Sequence, residues 1–143
     1  MTAPHASAGL RADQIDLPET HAELLPLFAA YEAALMRNDT AALADFFWAD
    51  ERVTRYGIAD RQWGATALAA WRATVPAPAF TRQLEHLRIV GLGPDVALAQ
   101  VEFVRSDTAL RGFQTQTWVR LAGVGWRIAA AHVSMIEWKS PPT

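Results

Sequence analysis

Four polar side chains stand out because they lie in the otherwise apolar last quarter of the chain. Gln114 and Gln116 fall in one predicted strand, and His132 and Ser134 fall in the next, among tryptophans, alanines and valines. An unpaired buried amide or imidazole costs on the order of 1–3 kcal/mol. We therefore expect these side chains to line a cavity that takes a polar ligand. His132 could act there as an acid or a base, although a lone histidine in apolar surroundings is more often structural.

Side-chain alternation divides the last predicted strand into two faces. One face carries His132 and Ser134 and is expected to line the cavity with Gln116 and Gln114, although a bulge could switch the two glutamines. The opposite face is almost free of charge and carries Arg127, Ala129, Ala131, Val133 and Met135. A face this apolar needs a cover, and the simplest cover is a second copy of the sheet. The pattern therefore predicts a homodimer through the outer face of the C-terminal strands.

Two further side chains earlier in the chain could do chemistry. Tyr31 falls on the apolar stripe of a predicted helix, so its ring is expected to pack inward while its hydroxyl needs a partner. Arg55 lies in a short extended segment, and a guanidinium suits a planar carboxylate. The simpler alternatives are a core tyrosine bonded to a backbone carbonyl and an exposed arginine paired with Asp50 or Glu51.

Other candidates have weaker support from the sequence. Arg72 and Arg111 could add a second carboxylate clamp, although solvated charges on a helix and a hairpin would explain both. Trp63 and Trp71 could close the apolar end of the cavity or pack against a flat ligand. Arg72 and Trp63 therefore join the polar strand residues as candidate substrate-binding residues.

Composition excludes several classes of function. The chain has 143 residues, which suits one domain, and it has no cysteine, so disulfides, thiolate nucleophiles and cysteine metal sites are excluded. The four histidines lack close paired spacing, and we expect neither metal nor cofactor. A net charge of −2 without a basic stripe argues against nucleic acid, and no apolar run is long enough for a signal peptide or a membrane span. A cytoplasmic protein is the expectation.

The hydrophobic period predicts helices first and strands afterwards. Residues 1–18 are expected to form a flexible extension, and residues 19–139 a single domain. Pro26 should either mark the start of the first helix or kink it. An α+β fold follows, with helices packed on one face of a strongly curved antiparallel sheet. The predicted helices span 19–37, 41–48 and 65–75, and the predicted long strands span 80–90, 96–106, 110–121 and 126–138.

Several short segments are distinctive: 31–35 (YEAAL), 46–48 (FFW), 55–57 (RYG), 114–120 (QTQTWVR), 125–128 (GWRI) and 132–134 (HVS). Together with the order of helices and strands, they resemble the SnoaL-like superfamily, also called nuclear-transport-factor-2-like (NTF2-like). Within it, the chain resembles the AtzH-like branch, which includes oxalurate-catabolism proteins of the HpxZ type. The resemblance implies a cone-shaped fold of three helices on the sheet.

The resemblance also implies an activity. The branch is associated with the breakdown of ureido compounds, including decarboxylating hydrolysis of an N-carboxylated urea, and it points to Tyr31 and Arg55 as the catalytic pair. Arg55 would orient the carboxylate of a small ligand, and Tyr31 would donate a hydrogen bond or a proton. Two alternatives remain: a non-catalytic ligand-binding or accessory protein, and an isomerase or dehydratase. An isomerase or dehydratase of this kind normally needs a carboxylate base or a His-Asp pair in the cone, whereas the acidic residues here fall mainly at predicted turns and helix ends.

Overall fold

Three helices form the first half of the domain. A computed structural model describes residues 8–139, and its first regular element is a short 3-10 helix, Ala12–Gln14. The α-helices are α1, Pro18–Met36; α2, Thr40–Asp45; and α3, Ala65–Thr74. Asp39 caps α2 by accepting a hydrogen bond from the backbone N–H of Ala42 at 3.1 Å.

Six strands form one sheet. They are β1, Thr54–Tyr56; β2, Arg61–Trp63; β3, Arg82–Gly91; β4, Val96–Arg105; β5, Arg111–Leu121; and β6, Gly125–Ile136. The strand order is β2-β1-β6-β5-β4-β3, and β1 runs parallel to β6 while the other neighbouring pairs are antiparallel. The α+β class, with three helices on a curved sheet, is confirmed. The short strands β1 and β2 extend the sheet beyond β6 and bring Arg55 beside it.

Helix α1 supplies one wall of the cone. It begins at Pro18, where proline costs no hydrogen bond, and continues through Pro26. The predicted span of 19–37 is therefore close, and the alternative in which Pro26 marks the start of the helix is wrong. Its buried side chains are Thr20, Leu24, Phe28, Tyr31 and Ala34. This spacing keeps one face of the helix against the concave side of the sheet. The stripe therefore carries Tyr31 into the interior, as its position in the sequence predicted.

The hydrophobic core fills the space between the helices and the concave face of the sheet. Trp118 and Ile128 are fully buried at its centre, beneath Leu24 of α1 and Leu43 of α2. Among the described residues, no helix is long and apolar enough to cross a membrane.

Part of the expected N-terminal extension is attached to the sheet. The backbone N–H of Asp16 donates to the carbonyl of Gly91 at 2.9 Å, and the Asp16 carboxylate accepts from the Gly91 N–H at 2.9 Å. Ile15 pairs with Leu92 in the same region. The extension is therefore held at these residues, while the expectation of flexibility for residues 1–7 lies outside the described residues.

A β-bulge in β6 changes which residues face the interior. Thr117 of β5 pairs with Ala130, but the next residue, Trp118, pairs with Ile128, so Ala129 has no partner. The bulge reverses the alternation after Ile128. His132 and Ser134 therefore lie on the outer face of the sheet, and the prediction that they line the cavity with the glutamines is wrong.

The same bulge corrects the predicted dimer face. Ala131 packs against the hydrophobic core and Val133 lines a pocket inside the cone, so neither belongs to the outer face. The outer face of β6 instead carries Ala130, His132, Ser134 and Ile136, and His132 meets the ring of Tyr56 edge-on with a centroid distance of 5.7 Å.

Candidate functional site

A pocket of about 110 Å³ lies between α1 and the inner face of the sheet. Three arginines and one glutamine supply its polar groups, and the rest of the wall is apolar. A small concave volume with a few fixed polar groups is typical of a site for a small molecule. Its lining residues are Leu35, Arg55, Ile58, Pro78, Phe80, Arg82, Phe103, Arg105, Gln114 and Val133.

Arg55 reaches this pocket from β1 and is held firmly. Its Nη1 donates to Asp60 Oδ1 at 2.6 Å and to Gln62 Oε1 at 3.0 Å. The Gln62 amide in turn donates to the same Asp60 oxygen at 2.9 Å. The guanidinium carbon lies 4.2 Å from the centroid of the Trp71 ring, a cation–π distance. The predicted alternative, an exposed arginine paired with Asp50 or Glu51, is wrong because Asp60 is the partner and the side chain is largely buried.

Tyr31 lies deeper than Arg55. It is 5% exposed, and Phe46 and Phe47 pack edge-on against its ring at 5.5 and 6.3 Å between centroids. Its hydroxyl lies near the Arg72 guanidinium and acts to raise the pKa of that group. Tyr31 does not line the pocket itself.

Arg72 is a buried cation without a carboxylate partner. The residue is 4% exposed, and no carboxylate of residues 8–139 lies within 4.0 Å of its nitrogens. Burial lowers the pKa of its guanidinium, whereas Tyr31 and, at longer range, Asp60 act in the opposite direction. The alternative of a solvated helix charge is therefore wrong. Its guanidinium carbon also lies 4.6 Å from the centroid of the Trp71 ring.

The two glutamines of β5 face inward but have different surroundings. Gln114 lines the pocket, and its Oε1 accepts a hydrogen bond from Arg82 Nη2 at 3.0 Å. Gln116 is fully buried, and its Oε1 accepts from the indole N–H of Trp118 at 3.0 Å. Gln116 is not among the residues that line the pocket, so its observed contact is structural.

A buried ion pair completes the inner wall. Arg82 Nε lies 3.3 Å from Glu32 Oε1, and the two side chains are 7% and 14% exposed. Burial raises the pKa of the Glu32 carboxyl, and the charge of Arg82 opposes that shift. Burial likewise lowers the pKa of Arg82, against the effect of Glu32.

Two candidate residues lie outside the cone. Trp63 is 56% exposed and stacks with Arg61, whose guanidinium carbon is 3.7 Å from its ring, so the prediction that Trp63 closes the cavity is wrong. Arg111 pairs with Glu85 and Glu102 at 2.6 Å each, on the outer face of the sheet. Neither residue joins the site.

Sequence reasoning missed several residues that line the pocket or pair with residues that do. Glu32, which pairs with Arg82, follows Tyr31 directly and falls off the apolar stripe of α1. Arg82 lies two residues from Leu84 and Arg105 lies two residues from Phe103, so the period of two could have placed both arginines on the inward face. Asp60 gave no local signal, because the turn that joins β1 to β2 brings it back to Arg55. The described residues contain no group of three or more His, Asp or Glu side chains that could hold a metal ion.

Comparisons with solved structures agree with this architecture. A protein of unknown function of the DUF3225 family from Pectobacterium atrosepticum shares 37% identity, with a TM-score of 0.86 over 90% of this chain and 100% of that chain. A cystatin-like fold protein from Burkholderia xenovorans also shares 37% identity, with a TM-score of 0.85 over 92% of this chain and 100% of that one. An NTF2-like superfamily protein from Salmonella enterica shares 19% identity, with a TM-score of 0.67 over 86% of this chain and 95% of that one, and supports the fold alone.

A family comparison is more specific. No curated protein matches the chain. The AtzH-like family model matches residues 13–139, which include every helix and strand from α1 to β6 and all the pocket residues. Its fold is that of an NTF2-like protein. The chain belongs to the AtzH-like family.

Proposed function

We propose that this chain is a small cofactor-free enzyme of ureido-compound catabolism, which carries out decarboxylating hydrolysis of an N-carboxylated urea or a related small carboxylate. The observation that supports this most directly is the buried Arg72, which has no carboxylate partner among residues 8–139 and lies beside Tyr31. An uncompensated buried cation is costly, and a bound carboxylate would offset that cost. Arg55 supplies a second guanidinium, which contacts the same Trp71 ring as the guanidinium of Arg72.

The proposed step uses Arg55, which lines the pocket, together with Tyr31 and Arg72, which are buried and are not among the lining residues. The bond between the carboxyl carbon and the nitrogen breaks, its electron pair stays on the nitrogen, and carbon dioxide leaves. The nitrogen then takes a proton from the Tyr31 hydroxyl, which regains one from water. Arg55 and Arg72 hold the carboxylate in line for this step. The hydroxide left by that water combines with the released carbon dioxide to give bicarbonate, so the net reaction is a hydrolysis.

Turnover of N-carboxyurea tests this proposal. Wild-type protein should release carbon dioxide, and Tyr31→Phe and Arg55→Ala should each lower kcat/KM by about 100-fold or more while the far-ultraviolet circular dichroism stays unchanged. Arg61→Ala is the matched control, because Arg61 lies on the neighbouring strand but outside the cone. Wild-type protein without turnover, in the presence of ligand-induced thermal stabilisation, would support the non-catalytic binding protein instead.

An isomerase or dehydratase is favoured by one observation that the sequence did not indicate. Glu32 does lie within the cone, with its side chain 14% exposed, so the argument from acidic residues at turns and helix ends does not apply to it. Arg82, 3.3 Å away, opposes the rise in pKa that burial causes and so weakens Glu32 as a base. Proton exchange at a carbon next to a ketone would favour this second candidate.

We also propose that the protein is a homodimer through the outer face of β5 and β6. Tyr56, Ile136 and Trp138 are 43%, 45% and 48% exposed on this side of the chain, and no helix of residues 8–139 covers it. Exposed aromatic and aliphatic groups of this kind favour association.

A further inference from the structure

Three polar side chains form a continuous chain along the inner wall of the cone. Glu32 of α1 contacts Arg82 of β3, and Arg82 donates to Gln114 of β5 at 3.0 Å. These three side chains thus link helix α1 to strands β3 and β5, which are not neighbours in the sheet. Gln114 is its only member besides Arg82 that lines the pocket.

Four buried atoms of these three side chains lack a hydrogen-bond partner among residues 8–139. They are both carboxylate oxygens of Glu32, Nε of Arg82 and Nε2 of Gln114. The contact of 3.3 Å between Glu32 and Arg82 is an ion pair that lies outside hydrogen-bond geometry. Buried polar groups without partners are rare in folded proteins and often mark a functional site.

The orientation of the Gln114 amide is fixed by chemistry. An arginine has only donors, so the amide atom that faces Arg82 must be the oxygen. The amide nitrogen, with its two N–H donors, therefore faces away from Arg82. The carboxylate of Glu32 offers the complementary property, because it has only acceptors when ionised.

Packing holds the central arginine in place. The Arg82 guanidinium carbon lies 4.0 Å from the centroid of the Phe103 ring, on the adjacent strand. That ring occupies the space in which a side chain at position 112 would stand, and the residue there is Gly112. Gly112 thus leaves room for the ring that contacts Arg82, and Arg82 in turn donates to Gln114.

We infer that Glu32, Arg82 and Gln114 form a subsite for an amide or ureido group. The Gln114 N–H groups would donate to the carbonyl oxygen of the ligand, and Glu32 would accept from its N–H groups. Because the negative charge of Glu32 offsets the positive charge of Arg82, the subsite has no net positive charge that could bind a second carboxylate. This subsite adds a ligand class to the proposed function. It rests on that function only in assuming that the same pocket binds the substrate.

The ligand must enter at the wall that Gln114 forms. The four unpartnered atoms are buried, so the amide end of the ligand reaches them with a small shift of the wall side chains. The carboxylate end then points toward Arg55, which lines the same pocket. Gln114 is thus a specificity-determining residue, and Glu32 and Arg82 act in part by positioning it.

A matched pair of ligands tests this inference by isothermal titration calorimetry. Oxamate has one amide and one carboxylate, whereas oxalate has two carboxylates at almost the same size. Wild-type protein should bind oxamate at least about tenfold more tightly than oxalate, because one well-made polar contact is worth about that factor. Gln114→Met should weaken oxamate about tenfold and leave oxalate unchanged. Gln100→Met, on the outer face of β4, is the control and should change neither affinity.

Glu32→Gln provides a second test that does not depend on the first variant folding. Removing the negative charge should tighten oxalate binding and reduce the preference for oxamate by about tenfold. Equal affinities in wild-type protein, no binding of either ligand, or an unchanged preference in both folded variants would overturn the inference. Neither ligand has an N-carboxyl group, so a failure to release carbon dioxide would refute the proposed function without affecting this result.

Discussion

Arg55 and Arg72 place their guanidinium carbons 4.2 and 4.6 Å from the centroid of the same tryptophan ring, yet only Arg55 has a carboxylate partner. Trp71 therefore holds two cations close together, and the charge of Asp60 offsets one of them. The remaining positive charge is buried with Arg72. A small anion is the ligand that this arrangement favours most.

Substitution of Arg72 should separate binding from folding. Arg72→Met removes the buried charge, so we expect kcat/KM for N-carboxyurea to fall by about 100-fold while thermal stability stays equal or rises. Arg72→Lys keeps the positive charge but loses the planar guanidinium that can donate two parallel hydrogen bonds to a carboxylate. It should therefore be more active than Arg72→Met and less active than wild type. Steady-state kinetics and thermal denaturation measure the two effects. A large loss of stability in Arg72→Met with full activity would show that Arg72 is only structural.

Gly112 should tolerate no side chain. A Cβ atom at this position would overlap the ring of Phe103, which backs Arg82. We expect Gly112→Ala to destabilise the protein by about 1–3 kcal/mol through overpacking, as measured by urea denaturation. Thr115→Ala, on the outer face of the same strand, should cost much less. Equal costs in the two variants would show that the Phe103 ring moves freely.

The sequence predicted the helices and long strands because their periodicities are strong and local. It also placed Tyr31 and Gln114 inside, since each follows a regular pattern on its own element. The assignment of His132 and Ser134 failed because one bulge residue, Ala129, reverses the alternation, and nothing in a run of three alanines marks it. Long-range partners such as Asp60 and Arg82 became visible only once the strands were paired.

Lysine substitutions at two neighbouring positions of β6 test the bulge. Val133 faces the pocket and His132 faces outward beside Tyr56. Val133→Lys places a positive charge among the three arginines of the pocket and should cost several kcal/mol, whereas His132→Lys should cost about 1 kcal/mol or less. Chemical denaturation followed by tryptophan fluorescence measures both. The opposite order of costs would restore the alternation predicted from the sequence.

The outer face of β6 should control the oligomeric state. Ile136 is 45% exposed on this face, and a charge there would disfavour a self-complementary contact. We expect wild-type protein to have the mass of a dimer in light scattering at micromolar concentration, and Ile136→Asp to have that of a monomer. Val124→Asp, at the exposed turn between β5 and β6, is the control and should stay dimeric. A monomeric wild-type protein would contradict the proposed interface.

Asp50 should make a contribution to stability that disappears in acid. Hydrogen bonds from the Arg52 side chain and backbone lower the pKa of Asp50 from 3.8 to about 2. The folded state therefore prefers the ionised form, so this contribution is fully present above pH 3.8 and is lost as the pH falls toward about 2. Asp50→Asn should lower the Tm at neutral pH, and its difference from wild type should shrink through that window. A difference in Tm that stayed constant down to pH 2 would show that the charge of Asp50 is not responsible.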